Sequence, residues 1–514
     1  MVEIPFIWYG SLLLPIIVGL LGLGSSRGKL IAALSAITLL IPLGIIMTSW
    51  IIYSPEEPVA DSIKIDLTGY KIGYFSLVVD GLSLPVLVGI SLVTGIVAVY
   101  SLKYMTTRIA EMEEQGEKVP GLGAYFFLYN LFAIAMMGMA LSTNLIEFYL
   151  FLEISLIASF LLIAYYGYGD RRKISLLYFI WTHVAGALFI AGVLYYGIKA
   201  GSFDILRIQN GSLIYVPMAS AIIGEAAKIA AAAILVGLFI KMAVFGVHMW
   251  LPYAHAEAPT PVSALLSPNL IGIAGYALAR FGIILFPDIL QKIKYDLMIL
   301  AIVTIVYGGL VALRQNDFKR LLAYSSVSQM GYLLLGISTL TAFGIGGAML
   351  HYLTHAIGKA VLFMVAGVFI TELHGLRDIR RMSGLAKYYP FTAAAALLGF
   401  MHLVGIPPTM GLWSELLITI GLVKAVPLNS VDHVLLVATS LIVAYGVSAA
   451  YAFITMKRIF YGKPMEGANH EIQDGFKQTV VLLAVIGVIF FLTISLLISP
   501  LRQSVETLLL AGLG

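Results

Sequence analysis

Residues 230–252 read AAAAILVGLFIKMAVFGVHMWLP, and this stretch decides the fold. The run from Ala230 to Ile240 carries no polar side chain. Comparable apolar runs of roughly 18 to 25 residues recur from one end of the chain to the other, and each can cross a hydrocarbon core of about 30 Å as a helix. Lys241 and His248 follow at membrane depth. The sequence therefore predicts a polytopic, all-α membrane protein with ionisable groups inside it.

The composition of the whole chain supports a membrane location. Of the 514 residues, 60% are hydrophobic and only 11% are charged, and the mean hydropathy is +0.97, far above the values of soluble domains. The runs show no strand-type alternation, and only helices or closed barrels satisfy their backbone hydrogen bonds in lipid. We therefore expect the spans to be helices and lipid to surround most of the surface.

The apolar runs predict about fourteen transmembrane helices in a single membrane domain over residues 1–514. We divide this domain into helices 1–3 (1–105), a five-helix unit of helices 4–8 (121–286), an inverted copy of that unit in helices 9–13 (295–458), and helix 14 (478–514). The predicted spans lie near residues 6–23, 29–53, 76–102, 121–142, 144–167, 174–199, 219–250, 260–286, 295–313, 320–340, 342–371, 388–424, 431–456 and 478–499.

The distribution of lysine and arginine predicts the orientation, because cytoplasmic loops collect positive charge. One alternate set of predicted loops holds 19 of the 31 basic residues and the opposite set holds 8. This bias predicts a multi-pass protein of the cytoplasmic membrane with both termini outside. The remaining four basic residues, Lys228, Lys241, Arg280 and Lys359, lie inside predicted spans.

Several kinds of chemistry are excluded by the sequence. The chain has no cysteine, which excludes thiolate-bound iron–sulfur clusters, Cys-ligated haem and disulfides within it. Residues 22–29, GLGSSRGK, resemble a phosphate loop, but the spacing is one residue too long and Leu30 replaces the required Ser or Thr. The net charge of +4 lies in the loops, where the positive-inside rule explains it, so no nucleic-acid partner is expected. We expect no cofactor in this chain.

An acid and a base occupy the fifth and seventh predicted spans. A charge at the bilayer centre costs roughly 2.5 to 3.5 kcal/mol, so such a residue is a functional candidate. Glu153 is the nearest carboxylate to Lys241 by depth, and we predict that the two form a charge pair; the alternative is a glutamate satisfied by Ser155. If another charge withdraws Glu153, Lys241 releases its proton. Glu147, nearer the surface, is a weaker candidate.

Three titratable residues form a stripe on the eleventh helix. His351, His355 and Lys359 stand at i, i+4 and i+8, on one face at steps of about 6 Å, as a proton path requires. Two histidines at this spacing also fit a metal site, but the third ligand is missing nearby and Lys359 would repel a cation. Two satisfied core histidines are the remaining alternative. We favour the proton path and predict no metal.

Two predicted spans are interrupted. Pro407 and Pro408 lie just before Glu415 in the twelfth span, and the seventh span has Gly246 and Pro252 around His248. Broken helices at membrane depth are tolerated where they line a cavity or an ion path. Because the breaks are five spans apart, they support the inverted repeat, with Lys241 and Glu415 in equivalent places.

Six stretches of the chain, together spread over roughly residues 75–460, resemble the antiporter-like subunits shared by complex I, energy-converting hydrogenases and Mrp cation/proton antiporters. They are Asp80-Gly-Leu-Ser-Leu, Phe151-Leu-Glu153 with Ala158-Ser-Phe-Leu-Leu-Ile, Lys241 with His248-Met-Trp-Leu-Pro-Tyr-Ala-His255-Ala-Glu-Ala-Pro-Thr-Pro-Val-Ser-Ala-Leu-Leu, Gln315-Asn-Asp317-Phe-Lys-Arg-Leu-Leu-Ala-Tyr-Ser-Ser-Val-Ser-Gln329-Met-Gly, His351 to Lys359, and Gly405-Ile-Pro-Pro.

The resemblance implies roles for these residues. Glu153 and Lys241 would be the charge pair of helices five and seven, and Glu415 the exit residue of helix twelve. The helix-eleven stripe would belong to the central hydrophilic axis, and we take His248, His255, Glu147 and Asp317 as secondary candidates. Glutamate at the position of Glu415, where many relatives have lysine, resembles the M-type complex I subunit and its hydrogenase counterparts.

Three departures from the family pattern qualify these roles. Many relatives carry a lysine where this chain has Gly272, so the link between the half-channels would use His248, His255, water or the helix-eleven stripe. Gln329 and Tyr253 stand where some relatives have histidine and aspartate. Because the chain stops soon after the fourteenth span, we expect no long lateral helix of the L-type subunit.

The sequence is compatible with three functions. The first is a proton-translocating subunit of a redox-driven pump such as a membrane-bound hydrogenase, sulfur reductase or complex I. Its partners would be other membrane subunits, including related antiporter-like ones, lipid, and peripheral iron–sulfur subunits. The second is the D-type subunit of an Mrp sodium/proton antiporter, and the third a structural scaffold. The buried charges oppose the scaffold, because leucine would serve there at lower cost.

Overall fold

The apolar runs fold as helices in the computed structural model, which describes residues 1–25, 27–209, 212–216, 224–427, 430–465, 471 and 474–513. The helices are Ile7–Gly22 (α1), Gly28–Ile52 (α2), Leu84–Glu114 (α3), Leu122–Leu141 (α4), Leu145–Tyr166 (α5), Arg171–Ala200 (α6), Glu225–Met242 (α7), Trp250–Glu257 (α8), Thr260–Leu265 (α9), Ile271–Ala277 (α10), Ile283–Leu285 (α11), Pro287–Arg314 (α12), Phe318–Ser338 (α13), Ala342–Glu372 (α14), Pro390–Val404 (α15), Gly411–Ala425 (α16), Val431–Phe460 (α17), Gly475–Leu492 (α18) and Ser495–Leu513 (α19).

Short strands and turns complete the structure. Parallel β1 (Val2–Ile4) and antiparallel β5 (Val78–Val79) flank β2 (Val59–Asp61), and two further antiparallel pairs are β3 (Ile65–Asp66) with β4 (Tyr74–Phe75) and β6 (Leu206–Gln209) with β7 (Ser212–Tyr215). Single 3-10 turns cover Thr68–Tyr70, Ile379–Arg381 and Leu385–Lys387.

The helices have the length and composition of membrane spans. Among the described residues, ten are long and apolar enough to cross a bilayer: α2 to α6, the continuous helix 260–285, α12, α14, α17 and α18; α1 and α15 are shorter apolar helices. The prediction of a polytopic, all-α membrane protein is therefore confirmed. The count of fourteen spans stays a prediction.

The third span begins later than predicted. Its helix, α3, runs from Leu84 to Glu114 and not over 76–102, because the apolar Val78 and Val79 pair with β2 as a strand. Pro85 then occupies the first turn of α3, a position that needs no backbone N–H.

The C-terminal region also differs from the prediction. Residues 478–499 do not form one span: α18 ends at Leu492, and α19 follows with Pro500 inside it. The helix α19 buries Leu497, Leu501, Val505 and Leu508 and exposes Arg502 and Glu506. A stripe of this kind indicates a helix that packs one face on the bundle. Its Ser504 hydroxyl accepts a hydrogen bond of 2.9 Å from the Gly81 backbone N–H, which attaches α19 to the start of α3.

Both predicted helix interruptions are present. The first lies between Met242, the end of α7, and Trp250, the start of α8, with positive φ at Ala243 and Gly246. The second lies between Val404, the end of α15, and Gly411, the start of α16. Pro252 lies in the first turn of α8 and so does not itself cause the first break.

The connections form two groups, one at each end of the bundle, whose members are joined by hydrogen bonds. On one side the Thr143 N–H donates to Ser76 O at 3.2 Å, and Ser499 bonds Glu56. On the other, Lys103 Nζ lies 2.9 Å from Glu372, and the Tyr168 N–H donates to Glu257 O at 2.8 Å. These groups match the two alternate sets of predicted loops. Which set faces the cytoplasm stays a prediction.

A buried ion pair joins α3 to the long helix 260–285. Arg280 donates from Nη1 to Asp80 Oδ2 at 2.8 Å and from Nη2 to Asp80 Oδ1 at 2.5 Å. Asp80 also accepts from the Ser83 N–H at 2.9 Å, and the guanidinium lies over the Tyr276 ring. Because guanidinium stays charged in proteins, its burial requires a full counter-charge, and Asp80 supplies it.

We expect Asp80→Asn and Arg280→Leu each to lower the unfolding temperature of the purified protein in detergent, followed by tryptophan fluorescence. Removing one partner leaves the other charge buried alone, at a cost of about 3–5 kcal/mol. The double variant Asp80→Leu/Arg280→Met should recover part of this loss. The matched control is Arg380→Leu, which breaks an exposed ion pair with Asp378 and should change little. Single variants that melt like the unmodified protein would contradict the assignment.

Candidate functional site

The helix α14 forms the centre of the bundle and carries the predicted stripe. Every residue from Gly344 to Ile370 is buried, and helices α3, α13, α15, α16 and α18 pack around it. His351, His355 and Lys359 are each 0% exposed. The spacing prediction therefore places three titratable groups in the protein interior, away from lipid.

Lys359 has neutral partners only, among the described residues. Its Nζ donates to the Leu322 carbonyl at 3.0 Å and to the Ser325 hydroxyl, both on α13. Dipoles of this kind hold an amine in place without binding its charge as strongly as a carboxylate would. The Lys359 amine can therefore be held both with and without its extra proton.

His355 connects the stripe to the long helix 260–285. Neither of its ring nitrogens has a hydrogen-bond partner within the described part of the chain. The groups that act on it electrostatically are Lys359, His351 and His255, and it lies beside the Pro268 carbonyl in a π-helical turn, Leu266–Leu270. Buried polar atoms without protein partners are unusual. These nitrogens are free to accept or donate a proton.

His351 connects the stripe to Glu415. Its ring stacks on Tyr332 with centroids 5.2 Å apart, and its Nδ1 lies 3.3 Å from the hydroxyl of Ser414. Glu415, the next residue, is 4% exposed, and its Oε1 has no partner among the described residues. The Ser414 hydroxyl therefore links the stripe to α16, the helix that carries this buried carboxylate.

The Glu415 carboxylate packs against the second helix break. Gly405 has φ +67, and a Cβ there would lie 2.2 Å from Glu415 Oε2, so the carboxylate packs directly on the backbone of the break. Only glycine leaves room for both the left-handed conformation and this contact.

Lys241 is buried in the other half of the molecule, close to the end of α7. Its Nζ has no hydrogen-bond partner within the described residues. It borders a small gap with room for about one water molecule, and the other residues that line this gap are apolar or glycine, among them Phe148, Leu238 and Ile273. Glu153 is the charged group that acts on it.

The predicted contact between Glu153 and Lys241 is wrong for this conformation. No ion pair within 4.0 Å joins them; Glu153 Oε2 instead lies 3.1 Å from Nδ1 of His183 on α6. The alternative partner, Ser155, is also wrong, because its hydroxyl donates to the Leu152 carbonyl. Another correction concerns Lys228, which is exposed on the first turn of α7 and pairs with Glu225; it is not at depth.

The two secondary histidines, His255 and His248, have different surroundings. His255 is fully buried, lies against Phe363, and is acted on by Lys319 and Lys359. It therefore belongs to the central group. His248 lies among Phe245, Tyr307 and Tyr324, and neither of its ring nitrogens has a partner in the described chain.

The other two secondary candidates, Glu147 and Asp317, lie at the starts of α5 and α13. Glu147 is buried at the start of α5, where the backbone of Ser76 and Thr143 approaches it. Asp317 caps α13 by accepting from the Arg320 N–H and forms an ion pair of 2.7 Å with Arg377. The contacts of Asp317 are those of a helix cap at the surface.

Three groups were not selected from the sequence: Lys319 and His402, which are buried, and His183, which is half exposed. Lys319 counted as a loop lysine because it precedes an apolar run, yet it is fully buried and donates to the Ala258 carbonyl. His183 and His402 lie inside apolar helices, and His402 bonds Thr354 at 2.8 Å. The signal that selected the other candidates, an ionisable residue at membrane depth, applies equally to both histidines.

Known proteins share both the sequence and the fold. Residues 142–444 match the family described as NADH:quinone oxidoreductase/Mrp antiporter, TM. NADH-quinone oxidoreductase subunit M of Rickettsia prowazekii is 30% identical over 450 residues, covering 86% of this chain and 84% of its own length. NAD(P)H-quinone oxidoreductase chain 4 2 of Thermosynechococcus vestitus is 34% identical over 395 residues, covering 76% and 69%.

Three solved assemblies contain similar chains. One from respiratory complex I of Thermus thermophilus superposes with a TM-score of 0.80 at 26% identity, covering 97% of this chain and 99% of that one. Chains of the Mrp complex of Dietzia sp. DQ12-45-1b and of an archaeal membrane-bound sulfane sulfur reductase give TM-scores of 0.81 and 0.78, each at 23% identity. Their coverage of this chain is 99% and 98%, and of their own length 99% and 96%. The chain belongs to the NADH:quinone oxidoreductase/Mrp antiporter family of membrane proteins, as one of its antiporter-like subunits.

Proposed function

We propose that this chain translocates protons as one subunit of a redox-driven, multisubunit ion pump in the cytoplasmic membrane. The observation that supports the proposal is the set of buried titratable side chains on and against α14, His351, His355, Lys359 and His255, together with the buried Lys241 and Glu415. A structural subunit gains nothing from such groups, because burying polar atoms without partners costs free energy. A proton carrier needs them.

The arrangement suggests how charge moves along the row. When Glu153 approaches Lys241, the carboxylate stabilises the ammonium; when it withdraws, the amine gives its proton to an acceptor deeper in the protein. In this proposal His255, His355 and His351 relay the proton from Lys241 toward Glu415, since a histidine accepts a proton on one nitrogen while it donates from the other. Glu415 would then receive the proton before it leaves.

The energy must come from elsewhere in the assembly. Transfer of one proton against 100 mV costs about 2.3 kcal/mol, and the sequence has no cysteine to bind an iron–sulfur cluster. We therefore propose related membrane subunits, with lipid between them, and peripheral iron–sulfur subunits as partners. The relatives named as NADH-quinone oxidoreductase subunits favour this assembly. Both termini would lie outside, and 121–286 and 295–458 would be inverted units.

The D-type subunit of an Mrp sodium/proton antiporter is the second candidate. The TM-score of 0.81 to a chain of an Mrp complex favours it at the level of the fold. The row of histidines and lysines suits protons better than sodium, since sodium prefers oxygen ligands. Neither candidate places a cofactor or a metal in this chain.

We expect Lys241→Ala and Glu153→Ala each to abolish proton pumping while the complex still assembles. Each variant removes one member of the pair whose separation releases the proton. The measurement is the proton gradient formed by the purified complex in proteoliposomes, with assembly checked by native electrophoresis. The matched control is Lys228→Ala, because Lys228 lies on the same helix but is exposed. Normal gradients in both Lys241→Ala and Glu153→Ala would refute the assignment.

We expect Gly405→Ala to reduce pumping strongly, since the added Cβ would lie 2.2 Å from Glu415 Oε2 and must displace the carboxylate. Gly446→Ala is the control, because a Cβ at Gly446 meets no atom within 4 Å. The same gradient assay compares the two. If Gly405→Ala pumps like Gly446→Ala, the place of Glu415 against the break is not needed for function.

The composition of the complex separates the two candidates. We expect affinity purification through a tag on this chain, followed by mass spectrometry, to recover iron–sulfur proteins of a hydrogenase, sulfur reductase or quinone reductase. An assembly of antiporter-like subunits with no iron–sulfur protein and with sodium-dependent proton exchange would support the Mrp type instead.

A further inference from the structure

His183 is the hydrogen-bond partner of Glu153. Its Nδ1 lies 3.1 Å from Glu153 Oε2, although α5 and α7, which carry Glu153 and Lys241, both pack against α6. A Cβ at Gly186 would lie 2.3 Å from Glu153 Oε1. The missing side chain at Gly186 therefore gives the carboxylate room on α6, next to the imidazole.

Lys241 lacks the carboxylate contact that His183 has. Its amine is buried and has no hydrogen-bond partner within the described part of the chain, yet Glu153 is near enough to act on its charge. One carboxylate thus has two basic neighbours and bonds one of them. A carboxylate that can bond either of two bases couples the proton binding of one base to that of the other.

We propose that His183 is a positioning residue that competes with Lys241 for Glu153. This inference rests on the proposed function and extends it. When the imidazole carries two protons, it donates Nδ1–H to the Glu153 carboxylate, and Lys241, without its counter-charge, transfers a proton from Nζ to an acceptor in the row. When the imidazole gives its extra proton to water at its exposed side, the carboxylate returns to Lys241, and the Lys241 amine takes up a new proton from water.

The surroundings of His183 leave its side chain accessible from outside the chain. Half of its side chain is exposed, whereas Lys241 is buried. The ring stacks on Phe179 at 5.5 Å, and Ile180 and Val184 beside it are exposed and apolar. Among the described residues, Glu153 is the charged group that forms an ion pair with His183. A group that approaches this edge of α6 can thereby change the state of the pair.

The test compares His183→Leu with His183→Asn in the assembled complex. Leucine removes the competing donor, so Glu153 stays with Lys241 and proton pumping should fall roughly tenfold, the value of a hydrogen bond to a charged group. Asparagine keeps an N–H donor near the position of Nδ1, so Glu153 should keep a hydrogen bond on α6. The asparagine amide cannot gain or lose a proton, so the carboxylate should not return to Lys241 and pumping should fall as well. The pH dependence of pumping should change shape in both variants, because neither side chain titrates, and only His183→Leu should lose the hydrogen bond to Glu153.

An infrared readout separates positioning from a merely structural role. The carboxylate band of Glu153, assigned by its loss in Glu153→Gln, should shift in His183→Leu and remain in place in His183→Asn. The control His433→Leu removes another exposed histidine, on α17, and should alter neither pumping nor the band.

The outcomes distinguish this inference from the proposed function. If Lys241→Ala and Glu153→Ala pump normally, the function itself fails. If those variants are inactive but His183→Leu has the wild-type rate, pH dependence and carboxylate band, the role of His183 is refuted and the function stands. Equal loss in His183→Leu and His183→Asn with an unmoved band would also refute it, because the loss would then be structural.

Discussion

The structure depends on one constraint: a cation buried inside a membrane protein needs a compensating group, and the strength of that group decides whether the cation can lose its proton. Arg280 has the strongest compensation, a carboxylate with two hydrogen bonds. Guanidinium cannot be deprotonated in proteins, so this pair is a fixed link between α3 and the long helix 260–285.

The buried lysines have weaker compensation. Lys359 donates to a backbone carbonyl and a hydroxyl, and Lys319 to the Ala258 carbonyl just after α8. Carbonyl groups at a helix C-terminus carry partial negative charge, which orients an amine without binding its proton permanently. The compensation of Lys241 is weaker still, since its amine has no hydrogen-bond partner among the described residues. The same constraint thus separates structural from exchangeable charges.

The sequence predicts much of this arrangement where a pattern is local. The spacing of His351, His355 and Lys359 placed all three on one buried stripe, and the prolines before Glu415 predicted the break that the structure shows. The start of α3 could not be predicted from hydropathy, because Val78 and Val79 are apolar in a strand as they would be in a helix. Their partner β2 is distant in sequence.

The contact of Glu153 shows why the site was predicted only in part. Depth along a helix selects the acid and the base, but the direction of a carboxylate depends on neighbouring helices, and here the small Gly186 and the donor His183 on α6 determine it. If Glu153 were bonded permanently to Lys241, the carboxylate would stabilise the ammonium form, and the proton would stay on the amine. In the proposed function, the separation of Glu153 from Lys241 leaves the lysine amine able to release its proton.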